Sequence, residues 1–217
     1  MESSRKFLYK RATDLIAPTI DVESLIEFRT EDHNHTYDLQ WIMSDLEGGM
    51  RTGCVKASNQ SSKSRSAMLV YRGTSVGCMY SSNVLPDTRP TEESLKSMFS
   101  DLAVPGTSVV MYDLPENITL AISALFRGYP VQRTDNYNAL AYFDYICGWL
   151  ESQNGTACII VTASSDFSTC LSYVYKGQFC GAFCVEEQQF ETDKNFVHEL
   201  LRKNLGANVE ATVLPRE

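Results

Sequence analysis

The chain of 217 residues has no hydrophobic run that approaches the roughly 20 residues of a membrane-spanning helix. Its first residues, MESSRKFLYKRATDLI, include basic side chains but neither the apolar core nor the small-residue cleavage site of a secretory signal. We therefore expect a cytoplasmic protein with no membrane among its partners.

Sequence motifs for common catalytic sites are missing as well. There is no phosphate-binding loop, no dinucleotide fingerprint, no serine-hydrolase elbow and no helical zinc-protease motif. Histidine is scarce, and two of the three histidines, His33 and His35, lie in the segment EDHNH. With Glu31 and Asp32 they offer ligands to a divalent metal, but a loop ahead of a helix is more simply a solvated turn. We predict no enzyme activity, no metal site and no cofactor, and keep as an alternative an unrecognised enzyme that uses Cys54 or the His33/His35 loop.

Disulfide and zinc frameworks are not indicated by the cysteines. The number is odd, no C-x-x-C pair occurs, and most lie in apolar runs: Cys54, Cys78, Cys147, Cys158, Cys170, Cys180 and Cys184. A reduced, buried thiol packs like a small hydrophobic side chain. In CGAFC, strand geometry would place Cys180 and Cys184 on one face, without a second pair to complete a zinc site.

Acidic residues are missing from the stretch between Glu47 and Asp87, although the whole chain has a net charge of -8. The overall charge argues against nucleic-acid binding, which needs clustered Lys and Arg. The stretch contains five basic residues: Arg51, Lys56, Lys63, Arg65 and Arg72. An ordinary solvated surface is one interpretation. The other, which we choose, is a surface formed by Lys56, Lys63, Arg65 and Arg72 that binds another protein, one with acidic character.

What the sequence does contain is a repeat. A shift of 104 residues aligns Arg29–Tyr80 with Arg133–Cys184 without a gap, and 14 of the 52 pairs are identical, where about three would match by chance. The counterpart of the basic stretch, Ser152–Phe190, has one basic and three acidic residues. The two copies therefore differ in the charge of the same region.

Each copy predicts the same succession of elements. A first helix is predicted in SRKFLYKRATDLIAP and PENITLAISALFRG, and a short extended piece follows in IEFRT and PVQRT. A second helix covers Tyr37–Glu47 and Asn138–Glu151. Three strands follow, TGCVKAS, SAMLVY and SVGCMYS in the first copy and TACIIVTAS, CLSYVYK and FCGAFCV in the second. A third helix, TEESLKSMFSDL or TDKNFVHELLRKNL, and a closing strand, SVVMYDL or NVEATVL, complete the copy.

Repeated glycines indicate the turns. Tyr71-Arg72-Gly73 and Tyr175-Lys176-Gly177 predict tight hairpins in which glycine supplies a positive φ. Gly77 and Gly181 lie inside the next strand and predict a bulge or a close backbone approach.

Three repeated pairs are candidates for more than packing. Cys54 and Cys158 lie among strand residues, so shared packing explains them best. Glu47 and Glu151 end a helix, where a carboxylate opposes the dipole. A bond to nearby backbone or to a partner is one interpretation, and an ordinary helix end is the one that we choose. Arg29 and Arg133 either fix a local loop or bind an anionic ligand; the second interpretation makes the protein a small-molecule or nucleotide sensor.

The first copy is similar to a known family. Leu39-Gln40 in a helix, Thr52-Gly53 before a strand, and LVYRGTSVGCMY resemble the PATAN-type domain of bacterial signalling proteins. The resemblance covers Asp38–Tyr80 and, more weakly, Tyr142–Cys184, where Phe143-Asp144 and Ala157 replace the family's residues. It implies a protein–protein interaction module without catalytic residues.

The sequence therefore predicts an α+β protein of two tandem repeats, residues 1–114 and 115–217, each a small antiparallel sheet with packed helices. The function we expect is that of a non-catalytic cytoplasmic adaptor or regulatory module in signalling.

Overall fold

The structure is a computed structural model that describes residues 25–29, 35–83, 91–133, 137–163 and 168–215, with the backbone alone for 25–29 and 35–40. Residue contacts divide the chain into two compact units, and the division falls between Glu116 and Asn117. The predicted boundary, between 114 and 115, lies two residues earlier.

The first unit contains a five-stranded antiparallel sheet among its described residues, in the order β1-β5-β2-β3-β4. Its elements are β1 (Leu25–Arg29), α1 (His35–Gly48), β2 (Gly53–Asn59), β3 (Ser64–Tyr71), β4 (Thr74–Ser81), α2 (Thr91–Leu102) and β5 (Thr107–Asp113). The closing strand β5 lies between β1 and β2, so that the first and last strands of the unit are neighbours.

The second unit contains a six-stranded antiparallel sheet among its described residues, in the order β10-β9-β8-β7-β11-β6. Its elements are α3 (Glu116–Arg127), whose first residue Glu116 belongs to the first unit, β6 (Tyr129–Pro130), α4 (Ala139–Gln153), β7 (Ala157–Thr162), β8 (Thr169–Tyr175), β9 (Gln178–Cys184), β10 (Gln189–Glu191), α5 (Lys194–Lys203) and β11 (Asn208–Val213). Again the closing strand, β11, pairs with both the first strand and β7.

In the second unit, α4 and α5 cover one face of the sheet. Helix α4 has an apolar stripe, because Tyr142, Phe143, Ile146 and Leu150 are buried in the core and Trp149 packs at its edge. The Asn138 side chain begins this helix by accepting a hydrogen bond from the Ala141 N–H at 2.8 Å. A cap of this kind satisfies a backbone donor that has no partner inside the helix.

The first unit has a smaller core on the matching face. Ile42 and Leu46 of α1 pack with Met98 and Leu102 of α2 in one cluster with the sheet. The sheet residues in this cluster alternate along their strands, as the period of two requires: Val55, Ala57, Met68, Val70, Cys78, Tyr80, Val109 and Met111.

The two repeated hairpins have the predicted turns and bulges. Gly73 and Gly177 have φ of 79° and 77°, and the basic residue before each, Arg72 or Lys176, is also left-handed, with φ of 47° and 48°. Positive φ at both central residues defines a type I′ turn, whose twist matches that of the paired strands. Next to each turn the register shifts by one residue, at Val76 opposite Leu69/Val70 and at Cys180 opposite Tyr173/Val174.

The bulge overturns the expectation that Cys180 and Cys184 share a face. Cys184 belongs to the helix-covered core, and the extra residue brings Phe179 rather than Cys180 to that face. A bulge shifts the alternation of the strand by one residue. Strand β10, which pairs with β9, was not predicted from the sequence.

The α+β class and the antiparallel sheets are confirmed. The helix predicted in SRKFLYKRATDLIAP lies outside the described residues. Within the described ranges, no helix combines the length and the apolar character needed to cross a bilayer.

Candidate partner-binding site

The turn between β2 and β3 presents two of the four predicted partner-binding residues. Lys63 and Arg65 are both exposed, and Lys63 has a left-handed backbone with φ of 48°. Neither forms an ion pair with any acidic residue in the described part of the chain.

A buried asparagine holds this turn in shape. The Asn59 side-chain oxygen accepts hydrogen bonds from the N–H groups of Ser61 and Ser62 at 2.8 and 3.1 Å. Its amide nitrogen donates to Oγ1 of Thr107 on β5 at 2.8 Å. Asn59 is almost fully buried, so the turn is fixed to the sheet and its basic side chains start from a defined backbone.

The opposite end of β3 carries Arg72, and here the charge is neutralised. The Arg72 guanidinium lies 3.3 Å from both carboxylate oxygens of Glu116 and stacks on the Tyr71 ring, 5.2 Å from its centroid. The Tyr71 hydroxyl donates to the same carboxylate at 2.7 Å. Because β3 is eight residues long, Arg72 lies roughly 20 Å from the Arg65 end of the strand.

Lys56 lies between these ends. It is half-buried on β2, on the sheet face opposite the helices, and its Nζ lies 5.7 Å from the centroid of the Tyr112 ring. Arg51, also in the basic stretch, is paired with Asp45 at 3.2 Å and with Asp113 at 3.6 Å. The structure therefore does not bring the four predicted residues into one cluster, and Lys63 and Arg65 form the exposed basic pair, which we call the basic turn.

A threonine at the same position of each unit, Thr52 or Thr156, connects the segment after a helix to the type I′ hairpin at Arg72 or Lys176. The Thr52 hydroxyl accepts from the Arg72 N–H at 3.0 Å, and the Thr156 hydroxyl accepts from the Lys176 N–H at 3.2 Å. The threonine carbonyls accept from Leu114 and Leu214 of the chain after each closing strand. These pairs have a structural explanation in both units.

The same contact explains Glu47 and Glu151. A Cβ added at Gly73 would lie 3.0 Å from the Glu47 Cα, and one at Gly177 would lie 2.8 Å from the Glu151 Cα. Each turn thus rests directly on the last turn of the helix before it. The two carboxylates are exposed, so the backbone at these positions, rather than the charge, makes the contact.

Arg133 is engaged within its own unit. Its guanidinium stacks on the Tyr142 ring, 4.5 Å from the centroid, and donates to the Tyr137 carbonyl. Tyr145, exposed and stacked with both Tyr137 and Tyr142, completes an aromatic surface at the start of α4. The arginine therefore contacts residues at and just before the start of α4, which favours the local interpretation over an anionic ligand. Arg29 lies in β1, where the structure describes the backbone.

The candidate metal loop falls largely outside the described residues, since 31–34 are not described and His35 is the first residue of α1. The third histidine, His198 on α5, lies 2.8 Å from the Asp144 carboxylate of α4. Lys194 lies 3.4 Å from the same carboxylate. Among the described residues, no group of three or more His, Cys, Asp or Glu side chains converges on a metal position.

The cysteines are buried thiols, with the exception of Cys180, which is half-buried. Burial raises the pKa of Cys54 to about 12, although the nearby Lys56 charge partly opposes that effect. Burial also raises the pKa of Cys78 to about 12 and that of Cys147 to about 11. A thiol with such a pKa is protonated at neutral pH and is a poor nucleophile, so the geometry does not favour Cys54 as an attacking group.

An open groove of about 370 Å³ lies on the helix-covered side of the first unit. Its walls are Met43 of α1, Leu95 and Phe99 of α2, and the start of β4 at Ser75. At the position 104 residues later, the second unit has Phe179, which packs on the core. Sequence reasoning missed this groove, and the signal for it was the Ser75/Phe179 difference between otherwise similar strands.

No family model, no curated protein and no solved structure matches this chain.

Proposed function

We propose that the protein is a non-catalytic adaptor or regulatory module of bacterial signalling in the cytoplasm, and that its basic turn binds an acidic segment of another protein. One observation carries the proposal: Lys63 and Arg65 are exposed on a fixed turn without an acidic partner among the described residues. Carboxylates pair with two of the other basic residues of the stretch, Arg51 and Arg72.

Electrostatics define what kind of partner this turn accepts. The chain as a whole carries a net charge of -8, so it repels an acidic polymer at long range. Binding of such a polymer therefore requires a local basic site, and its strength falls as salt screens the charges, with a Debye length of about 8 Å at physiological ionic strength. Lys56 and Arg72 contribute less, because one lies over an aromatic ring and the other is paired.

The test uses a fluorescein-labelled oligoglutamate peptide as the probe and fluorescence anisotropy as the measurement. We expect saturable binding at low salt that weakens as salt rises. The double variant Lys63→Glu/Arg65→Glu should weaken binding about tenfold or more, since tenfold corresponds to about 1.4 kcal/mol.

Arg202→Glu/Lys203→Glu is the matched control, because it makes the same charge change on exposed residues of α5. An equal loss in both variants would show that net charge, rather than the basic turn, decides binding. Equally tight binding of a single-stranded oligonucleotide of the same charge would contradict the preference for a protein partner.

The two units are, in this proposal, tandem copies of one module, as the PATAN-type resemblance implies. Support comes from the shared strand order, β1-β5-β2-β3-β4 beside β6-β11-β7-β8-β9. Further support comes from the two type I′ turns and bulges at equivalent positions. Divergence of charge between copies is expected when each binds a different partner.

A second candidate function, a small-molecule sensor, is favoured by the groove beside Phe99, whose volume lies within the usual range for ligand pockets of about 300–1,000 Å³. Its lining favours an apolar ligand over the anion expected near Arg29 and Arg133. The dye 1-anilinonaphthalene-8-sulfonate is a suitable probe. The sensor requires dye fluorescence that Leu95→Asp abolishes and the basic-turn variant leaves unchanged.

A further inference from the structure

Two cysteines of the second unit face each other across paired strands. Of the seven cysteines, all of which lie in described ranges, Cys170 and Cys184 alone are direct partners in the register, on β8 and β9. In the first unit the corresponding register partners are Ser66 and Tyr80. The cysteine pair is therefore specific to the second unit.

Backbone hydrogen bonding determines how close this pair lies. The Val185 N–H donates to the Thr169 carbonyl at 2.9 Å, so the pair next to the cysteines is hydrogen-bonded. Paired positions alternate in an antiparallel ladder, so Cys170 and Cys184 occupy a non-hydrogen-bonded pair. Such pairs have Cα atoms about 4.5 Å apart, which falls within the range of about 4.4–6.8 Å that a disulfide bridges.

The two side chains lie on the same face of the sheet. Both thiols belong to the helix-covered core, with exposed fractions of 1% and 3%. Interaction with the Cys184 thiol, together with burial, raises the pKa of Cys170. Two thiols at directly paired positions on one face of the sheet need little backbone movement to become bonded.

We propose that Cys170 and Cys184 are a redox modification site that closes to a cross-strand disulfide when hydrogen peroxide oxidises the protein. The inference concerns the second unit and does not depend on the partner proposed for the basic turn.

The chemistry balances with one peroxide per disulfide. The sulfur of one cysteine, as its thiolate, attacks an oxygen of hydrogen peroxide; the O–O bond breaks, and the departing hydroxide takes up the thiol proton as water. The sulfenic acid formed is then attacked by the second cysteine. The S–O bond breaks, the S–S bond forms, and the hydroxyl leaves with the second proton as another water. Two thiols lose two electrons, and peroxide gains them.

Burial makes this site slow and selective. A protonated, buried thiol reacts only when the structure opens locally. Outside β9 the described sheet has the three-residue strand β10, so opening at this edge breaks few hydrogen bonds. Once formed, the disulfide closes a short loop from 170 to 184 and restricts the unfolded chain, which stabilises the second unit.

The experiment uses the full chain with Cys180→Ser, because Cys180 is the partly exposed cysteine. The protein is treated with hydrogen peroxide, its free thiols are blocked with N-ethylmaleimide, and it is digested with trypsin without reduction. Cleavage after Lys176 separates the two cysteines into different peptides. We expect one linked pair of peptides, released by dithiothreitol, and a melting temperature that rises on oxidation and returns on reduction.

Cys170→Ser and Cys184→Ser, each in the Cys180→Ser background, serve as controls that must abolish the linked pair. A linked pair that persists in Cys170→Ser would assign the bond to Cys147 or Cys158 and overturn the proposal. Loss of free thiols without any linked peptide, or no oxidation at all up to the unfolding temperature, would overturn it too. If a serine variant does not fold, fragmentation of the linked peptides from the Cys180→Ser protein locates the bond at Cys170, Cys158 or Cys147, and a bond at either of the last two overturns the proposal.

Discussion

At the scale of single residues, the repeated glycines show how a local requirement and a tertiary requirement coincide. Gly73 and Gly177 need a positive φ, which the hairpin sequence predicted. Each also lies against the backbone of a helix end, which no local pattern indicated. Either requirement alone selects glycine, and together they explain why both units keep it.

We predict that Gly177→Ala lowers the free energy of unfolding by about 2 kcal/mol or more. Alanine in a left-handed conformation costs about 1–2 kcal/mol, and its Cβ would meet the Glu151 Cα at 2.8 Å. Urea denaturation followed by circular dichroism measures the loss. The control is Gly148→Ala, at an exposed helical site with nothing within 4 Å, where stability should stay equal or rise by up to about 1 kcal/mol. Similar losses in both variants would refute the argument.

At the scale of elements, helix ends and bulges determine which side chains reach the core. The bulge in β9 turns Phe179 toward α4 and α5, and the bulge in β4 turns Ser75 into the groove of the first unit. The residue at this position therefore lines a groove in the first unit and packs on the core in the second.

The cap of α4 gives one prediction at this scale. Asn138→Ala removes the acceptor for the Ala141 N–H and should lower the free energy of unfolding by about 1 kcal/mol. Asn138→Asp keeps an acceptor and adds a charge that favours the helix N-terminus, so it should cost little. Chemical denaturation of the three proteins side by side tests this; a loss in Asn138→Asp as large as that in Asn138→Ala would exclude capping as the cause.

Ser75 gives a second prediction at the scale of elements. Its hydroxyl oxygen is buried and has no hydrogen-bond partner among the described residues, and β-branched residues suit strands. Ser75→Val should therefore raise the free energy of unfolding by about 1 kcal/mol. Ser64→Ala is the contrasting variant, because the Ser64 hydroxyl donates to the Asp101 carboxylate and its loss should destabilise. Thermal melts compare the two, and a lower melting temperature for Ser75→Val would contradict the prediction.

At the scale of the whole molecule, buried thiols on several elements couple stability to alkaline pH. In the folded protein the pKa of Cys54 is raised from 9.0 to about 12. The unfolded chain therefore releases this proton first as pH rises, so stability is present below pH 9 and is lost between pH 9 and 12.

Each such group should lower the free energy of unfolding by about 1.4 kcal/mol per pH unit in that window. We expect the urea midpoint to fall from pH 9 upward. The free energy of unfolding of Cys54→Ala should fall less steeply with pH, and the difference in slope should correspond to about one proton. The slope is the readout because Cys54→Ala also changes packing at every pH. Parallel slopes for the two proteins would show that Cys54 does not contribute.

Much of the fold was predictable because periodicity and turn chemistry act within one segment. Helix α2, the stripe on α4, the type I′ glycines and the bulges all follow from short patterns. The proposed partner-binding residues could be predicted as a basic stretch but not as a surface. The reason is that distance along the chain does not show which carboxylate forms an ion pair with which basic side chain. Arg72 pairs with Glu116, 44 positions away.

The sequence by itself determined the element types, their order and the two hairpin turns, since hydrophobic period and glycine placement constrain the backbone locally. Tertiary structure decided which charges stay exposed, which strands pair with the closing strand of each unit, and that Cys170 lies opposite Cys184. The reason is register: pairing between strands distant in the chain sets these neighbours, and a shift of one residue would exchange every one of them.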